Sequence, residues 1–126
     1  MKILLTLNET YRNLPDTGHW YTYDPLKELG HEVYWYDTVN PKVKNYDKII
    51  EHFKPDLIFC CTTGDRNITP WEPWEVIAKE TASGRTKTFN WFCDDTWRFE
   101  QGSSKACKKF TVCSTPEPDY IEKYKS

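Results

Sequence analysis

Residues 56–61 read Asp-Leu-Ile-Phe-Cys-Cys. After Asp56, apolar side chains follow one another without polar alternation. Successive residues of a strand point to opposite faces, so such a run fits a strand covered on both sides. Pro55 precedes it and the polar stretch Thr62-Thr63-Gly64 follows it. A run this short with these boundaries reads as a buried strand rather than a helix. Strands buried on both faces belong to parallel sheets flanked by helices.

The flanking sequence repeats the pattern. Lys2 to Leu7 (KILLTL), Glu32 to Tyr36 (EVYWY), Thr86 to Cys93 (TKTFNWFC) and Phe110 to Cys113 (FTVC) read as further strands, rich in β-branched and aromatic residues. Helical patterns lie between them. One runs from His19 to Leu29 with Gly30 beyond its end, and Pro25 either kinks it or starts its second half. Another runs from Tyr46 to Phe53, with Ile49, Ile50 and Phe53 on one side and Pro55 as its stop. A third covers Glu72 to Ser83, with Pro73 in its first turn and Gly84 after it. A fourth, Ser103 to Lys109, has Ser103 as N-cap and a basic last turn. The last, Asp119 to Lys125, follows Pro116 and Pro118, and residues 8–18 read as a loop.

Strands alternating with helices predict right-handed crossovers and one parallel sheet. The expectation is therefore an α/β chain: residues 1–126 as a single Rossmann-like domain, with a five-stranded, mainly parallel sheet and helices on both faces. Its length suits one domain and a sizeable core.

A formal net charge of -2 argues against a broad basic surface for nucleic acid or anionic membrane. No stretch is apolar and long enough to span a bilayer, and the N-terminal run is too short for a secretory signal. Five cysteines, an odd number, with no secretory signal point to reduced thiols and a cytoplasmic location. No CxxC pair occurs and His residues are not at ligand spacing, so no metal site is expected. No GxGxxG follows the first strand and no GxxxxGK[ST] occurs, so no nucleotide cofactor is expected.

In open α/β sheets, ligands bind beyond the carboxyl ends of the strands. This rule turns the strand list into a site list. Asn8 and Glu9 follow the first strand, and Asp37 ends the second. Thr63, Asp65 and Arg66 follow the third, and Asp94, Asp95, Trp97 and Arg98 follow the fourth. Carboxylates accept hydroxyls and Trp faces stack on sugar rings, so this rim, with Trp71 and Trp74 near it, suits a polyhydroxylated ligand. Plainer roles compete for the same residues. Asp94-Asp95 could cap a turn, Thr62 to Asp65 could be a turn alone, and His19 could pack. Lys105, Lys108 and Lys109 read most simply as a solvated helix face.

The phrases HEVYWYDTVNP (31–41), KPDLIFCCTTGD (54–65), TFNWFCDDTWRFE (88–100) and FTVCSTPEPDYIEKY (110–124), in this order, resemble the N-terminal domain of CgeB-like glycosyltransferases. That resemblance implies a GT-B arrangement, in which two Rossmann-like domains face each other across a cleft. The C-terminal domain binds the nucleotide-sugar donor and the N-terminal domain binds the acceptor. It further implies that Asn8, Thr63, Asp65, Asp94 and Asp95 face the cleft, with Asp94 or Asp95 as general base toward an acceptor hydroxyl. On this resemblance the chain is expected to lack the donor domain and the donor phosphate and ribose site that goes with it. A second Rossmann-like domain or partner chain is therefore expected to supply the donor, and this chain alone is expected to be inactive. Two other readings stay open. One is a stand-alone flavodoxin-like binding or regulatory module, with Asp37, Asp94 and Asp95 as an acidic pocket. The other is one part of an assembly, including a homodimer, that covers exposed aromatics.

Overall fold

A computed structural model describes all 126 residues. Five strands make one sheet: β1 (Lys2–Leu7), β4 (Glu32–Asp37), β5 (Leu57–Cys60), β6 (Lys87–Trp91) and β7 (Val112–Ser114). Their order across the sheet is β4-β1-β5-β6-β7, and every neighbouring pair is parallel. Numbered along the chain, this is 2-1-3-4-5, a doubly wound order shared with flavodoxin. The chain reverses its direction of travel between β1 and β5. The expected α/β, Rossmann-like, parallel architecture is the one observed.

Two short strands were not expected. β2 (Thr10–Tyr11) and β3 (Leu14–Pro15) pair antiparallel as a small hairpin. Its turn residues Arg12 and Asn13 both have positive φ, at 51° and 64°. A two-residue turn of that hand is usually announced by Asn-Gly or Asp-Gly. Arg-Asn gives no such signal, so residues 8–18 read as plain loop.

Register and alternation divide the sheet into two faces. Leu4, Tyr34, Ile58 and Thr88 align on one, and Leu5, Trp35, Phe59 and Phe89 on the other. The first face carries the main core. Helix α2 (Tyr46–Phe53) lays Tyr46, Ile49 and Ile50 against it, and α3 (Trp74–Ser83) adds Ile77. Asn45 caps α2 by accepting from the Lys48 N–H at 3.2 Å. The Tyr46 ring meets Tyr36 edge-on at 4.8 Å, and its hydroxyl pairs with the Thr6 hydroxyl at 2.6 Å. Gly84 ends α3 with φ at 70°, a conformation open to glycine without steric cost.

The second face is covered unevenly. A π-helical turn at His19–Tyr23 runs directly into α1 (Asp24–Glu28), so Pro25 falls at the start of the α-helical part. His19 and Tyr23 pack on Trp35 at 4.5 and 4.9 Å, which places this element over β1 and β4. Toward the opposite edge Trp91 is 41% exposed and Val112 58% exposed.

The segment after β6 departs from expectation. Residues 95–109 are helical throughout, as α4 (Asp95–Arg98), a π-helical turn (Phe99–Ser103), α5 (Ser104–Ala106) and a 3-10 turn (Cys107–Lys109). Ser103 is buried, has helical dihedrals and caps nothing with its side chain. Phe110 turns inward against Trp74 and Phe92 instead of opening a strand, so β7 starts two residues later. The chain ends in a 3-10 turn (Pro118–Tyr120) and α6 (Ile121–Lys125). No helix is long and apolar enough to cross a membrane.

Candidate functional site

The loops after β5 and β6 bound a cleft of about 590 Å³ at the carboxyl edge of the sheet. This lies one strand from the point where the chain reverses direction, the side on which doubly wound sheets bind ligands. Thr63, Asp65 and Arg66 come from the first loop, and Trp97 and Arg98 from α4. Sequence reasoning named all five as ligand-binding, and the fold brings them together.

Glu72 builds the first wall. Its carboxylate accepts the backbone N–H of Thr63 at 2.8 Å and of Gly64 at 3.2 Å. It also accepts the Thr63 hydroxyl at 2.8 Å and the Thr69 hydroxyl. Gly64 takes φ at 72°, so the loop bends where a side chain would be strained. Burial raises the Glu72 carboxyl above its usual pKa, and the Thr63, Thr69 and Gly64 donors act against that rise. Asp65 accepts from the Asn67 N–H at 2.9 Å, which closes the next turn. Sequence reading placed Glu72 in a helix. The helix begins at Trp74, because Pro73 sits outside helical dihedrals and Glu72 turns back to the loop.

Asn90 holds the floor. It is fully buried on β6, and its Oδ1 accepts the Thr62 N–H at 3.2 Å and the Thr62 hydroxyl at 2.9 Å. Its Nδ2 has no partner. The helical segment after β6 forms the far wall, where Gly102, Ser103 and Lys105 face the cleft beside Trp97 and Arg98. π-helical turns are rare and frequently mark functional sites. Gly102-Ser103-Ser104 looks like a turn by composition, which hid this wall from sequence reading.

The lining is cationic. Arg66, Arg98, Lys105 and Lys109 line it together with one carboxylate, Asp65. Trp74 and Trp97 add aromatic surface, and the Arg98 guanidinium lies 4.5 Å from the Trp97 ring centroid. Lys105 and Lys108 are exposed, as expected for a solvated face, but Lys105 also lines the cleft, together with the half-buried Lys109. Trp71 points elsewhere: it is 39% exposed, with the Lys44 ammonium 4.8 Å from its ring.

The remaining candidates lie outside the cleft lining. Asn8 is buried and donates to the Thr10 carbonyl at 3.1 Å. The Glu9 N–H donates to Asp37 Oδ1 at 3.1 Å, and burial followed by the Asp37 charge raises the Glu9 carboxyl. Asp94 is exposed next to Cys93, which does line the cleft. Its φ is 60°, and its side chain caps nothing. Its carbonyl instead accepts the N–H groups of Trp97 and Arg98 at 3.2 and 3.0 Å.

Asp95 points inward with 1% exposure. Its Oδ2 accepts the Tyr124 hydroxyl at 2.8 Å, and its Oδ1 is buried without a partner. A base must reach the proton it removes, and Asp95 is buried outside the cleft lining with its carboxylate bound to Tyr124. Asp37 is occupied by the Glu9 and Val39 N–H groups, and no three His, Cys, Asp or Glu side chains cluster as metal ligands. Comparison with protein-family models, with curated proteins and with solved structures gave no match.

Proposed function

We propose that this chain is a small-molecule-binding α/β domain serving as the acceptor half of a glycosyltransferase, and that its cleft takes an acceptor bearing both hydroxyls and an anionic group. The observation that carries the reading is the lining itself: four cationic side chains, one carboxylate and two Trp residues around about 590 Å³ at the carboxyl edge. Trp faces stack on sugar rings, while Arg and Lys bind phosphate or carboxylate. The donor domain, on another segment or partner chain, would complete the active site. On this reading Asp65, which lines the cleft, or Asp94, next to the cleft-lining Cys93, would take a proton from an acceptor hydroxyl.

The test is a titration of the isolated chain with sugar phosphates and with matching neutral sugars, followed by Trp fluorescence. Saturable quenching by the phosphorylated sugars is expected, weaker for the neutral ones and weakened by salt. Arg98→Ala should reduce affinity about tenfold, the equivalent of about 1.4 kcal/mol. Equal affinity for both sugar classes, or none for either, would remove the anionic-acceptor reading. Sugar transfer by this chain alone would refute the half-enzyme reading.

A second reading, a flavodoxin-like binding module without catalysis, draws support from the 2-1-3-4-5 strand order. Against it, the loop after β1 has no glycine-rich phosphate cradle; that segment forms the β2–β3 hairpin. Titration with flavin mononucleotide separates the two. Saturable quenching of flavin fluorescence would favour the module.

A further inference from the structure

A second concavity lies on the first sheet face, at the edge farthest from β7. There the edge strand β4, helix α2 and Val43 from the segment before α2 border a groove of about 420 Å³. It shares no residue with the cleft. Tyr34, Val43, Ile49 and Phe53 give it apolar walls, and Lys48 and His52 are its two basic groups. The spacing of residues 48, 49, 52 and 53 puts all four on one side of α2. The Tyr34 and Phe53 rings lie 5.8 Å apart at 56°. A third ring can lie flat against one of them and edge-on to the other, the two arrangements that aromatic pairs prefer.

The basic groups are spare. Lys48 is exposed, and the ion pairs of the chain, Arg85–Glu80, Lys109–Glu75 and Lys125–Glu122, do not include it. Its backbone carbonyl lies 2.9 Å from His52 Nδ1. A carbonyl accepts, so Nδ1 carries the hydrogen and Nε2 is left for a ligand. Lys48 also stands in the first turn of α2, three residues after the N-cap Asn45. The helix dipole favours an acid there and disfavours a cation. Local helix stability therefore does not account for an ammonium at this position, whereas an anion held in the adjoining groove does.

We propose that this groove binds a small aromatic carboxylate, with its ring against Tyr34 and Phe53 and its carboxylate on Lys48. Protonated His52 is the second donor. Charge complementarity selects the anion, and the angled pair of rings selects a flat apolar body. The volume falls in the range of small-ligand pockets, roughly 300–1,000 Å³.

The experiment titrates the isotope-labelled chain with phenylacetate, with its neutral analogue phenylacetamide and with the non-planar cyclohexylacetate, and follows backbone amide shifts by NMR. Phenylacetate should give saturable shifts at Tyr34, Val43, Ile49 and Phe53 while Thr63 and Gly102 in the cleft stay unmoved. Both analogues should bind about tenfold more weakly. In Lys48→Glu the new carboxylate suits the first turn of the helix and can reach back to its N-cap, so the variant keeps its fold. It should lose at least about tenfold in affinity for phenylacetate and none for phenylacetamide. Shifts confined to the cleft, no saturable shift, equal affinity for phenylacetate and either analogue, or undiminished phenylacetate binding by Lys48→Glu would each overturn the proposal.

Discussion

The Glu72 carboxylate accepts the backbone N–H of Thr63 at 2.8 Å, bridging nine positions of chain across the wall of the cleft. The same carboxylate takes the Gly64 N–H and two threonine hydroxyls. One half-buried side chain therefore sets the path of the loop that carries Asp65 and Arg66 into the lining. Glu72→Ala leaves those donors without their acceptor, which costs about 1–3 kcal/mol for each buried group that water cannot reach. The expected outcome is lower stability in urea melts, and weaker sugar-phosphate binding even where the variant stays folded. Unchanged affinity in the folded variant would show that the loop holds its shape without Glu72.

Tyr124 ties the end of the chain to α4. Its hydroxyl donates to the buried Asp95, whose other oxygen has no partner, and its ring lies 5.6 Å from Phe92 and 5.0 Å from Phe99. Tyr124→Phe keeps the ring contacts and removes only the donor, leaving a buried carboxylate wholly unpaired. It should destabilise the domain by about 1–3 kcal/mol. If the true role of Asp95 were as base, Tyr124→Phe would change catalysis in the assembled enzyme more than stability. Paired melting and binding measurements on the variant distinguish the two.

These two contacts show where sequence reading stops. DLIFCC at 56–61 announces its place in the sheet because burial on both faces writes itself into composition. Tyr46 to Phe53 is likewise legible, since its apolar spacing and Pro55 are local signals, and the helix has those bounds. Thr63, Asp65, Arg66, Trp97 and Arg98 could be placed at the cleft because strand ends share one edge. Glu72 and Asn90 could not. Their roles depend on acceptors aimed at backbone from a distant part of the chain, and nothing in neighbouring residues encodes that aim. The helical run begins at Asp95, eight residues before the expected Ser103, and that first part was hidden for a different reason: Gly102 and two serines favour turns in isolation, and the packing of Phe99 and Ser103 overrides them.

Glu80 supplies a pH dependence. It is buried at the end of α3 and accepts from Arg85 Nε at 2.8 Å, Arg85 Nη2 at 2.7 Å and the Thr86 hydroxyl at 2.7 Å. The Arg85 hydrogen bonds hold its carboxyl below the ordinary value of 4.5. A carboxyl whose folded pKa is depressed stabilises the fold above its unfolded pKa and loses that contribution as pH falls through the folded one. The gap in unfolding free energy between the parent chain and Glu80→Gln should therefore be constant above about pH 5 and close below it. The burial-raised carboxyl of Glu72 contributes with the opposite sign, but it is common to both chains and cancels in the difference. A gap that is equal at pH 7 and pH 3 would show that Arg85 does not stabilise the charged form of Glu80.

The two sheet faces should respond differently to loss of side chain. Leu4 and Ile77 are fully buried between β1, β5 and the helices α2 and α3. Truncating either to Ala removes apolar burial and opens a cavity in a close-packed core, which costs about 2–5 kcal/mol. Val112 lies on the far edge of the other face and is 58% exposed. Val112→Thr is nearly equal in size and buries no hydroxyl, so it should change stability by no more than about 0.5 kcal/mol. The comparison also tests coverage of that face. A second copy of the chain seated on Trp91 and Val112 would bury the new hydroxyl, and the cost of Val112→Thr would then rise with protein concentration. Urea melts at two concentrations a hundredfold apart check this, and coincident curves are expected for a chain that leaves this edge uncovered.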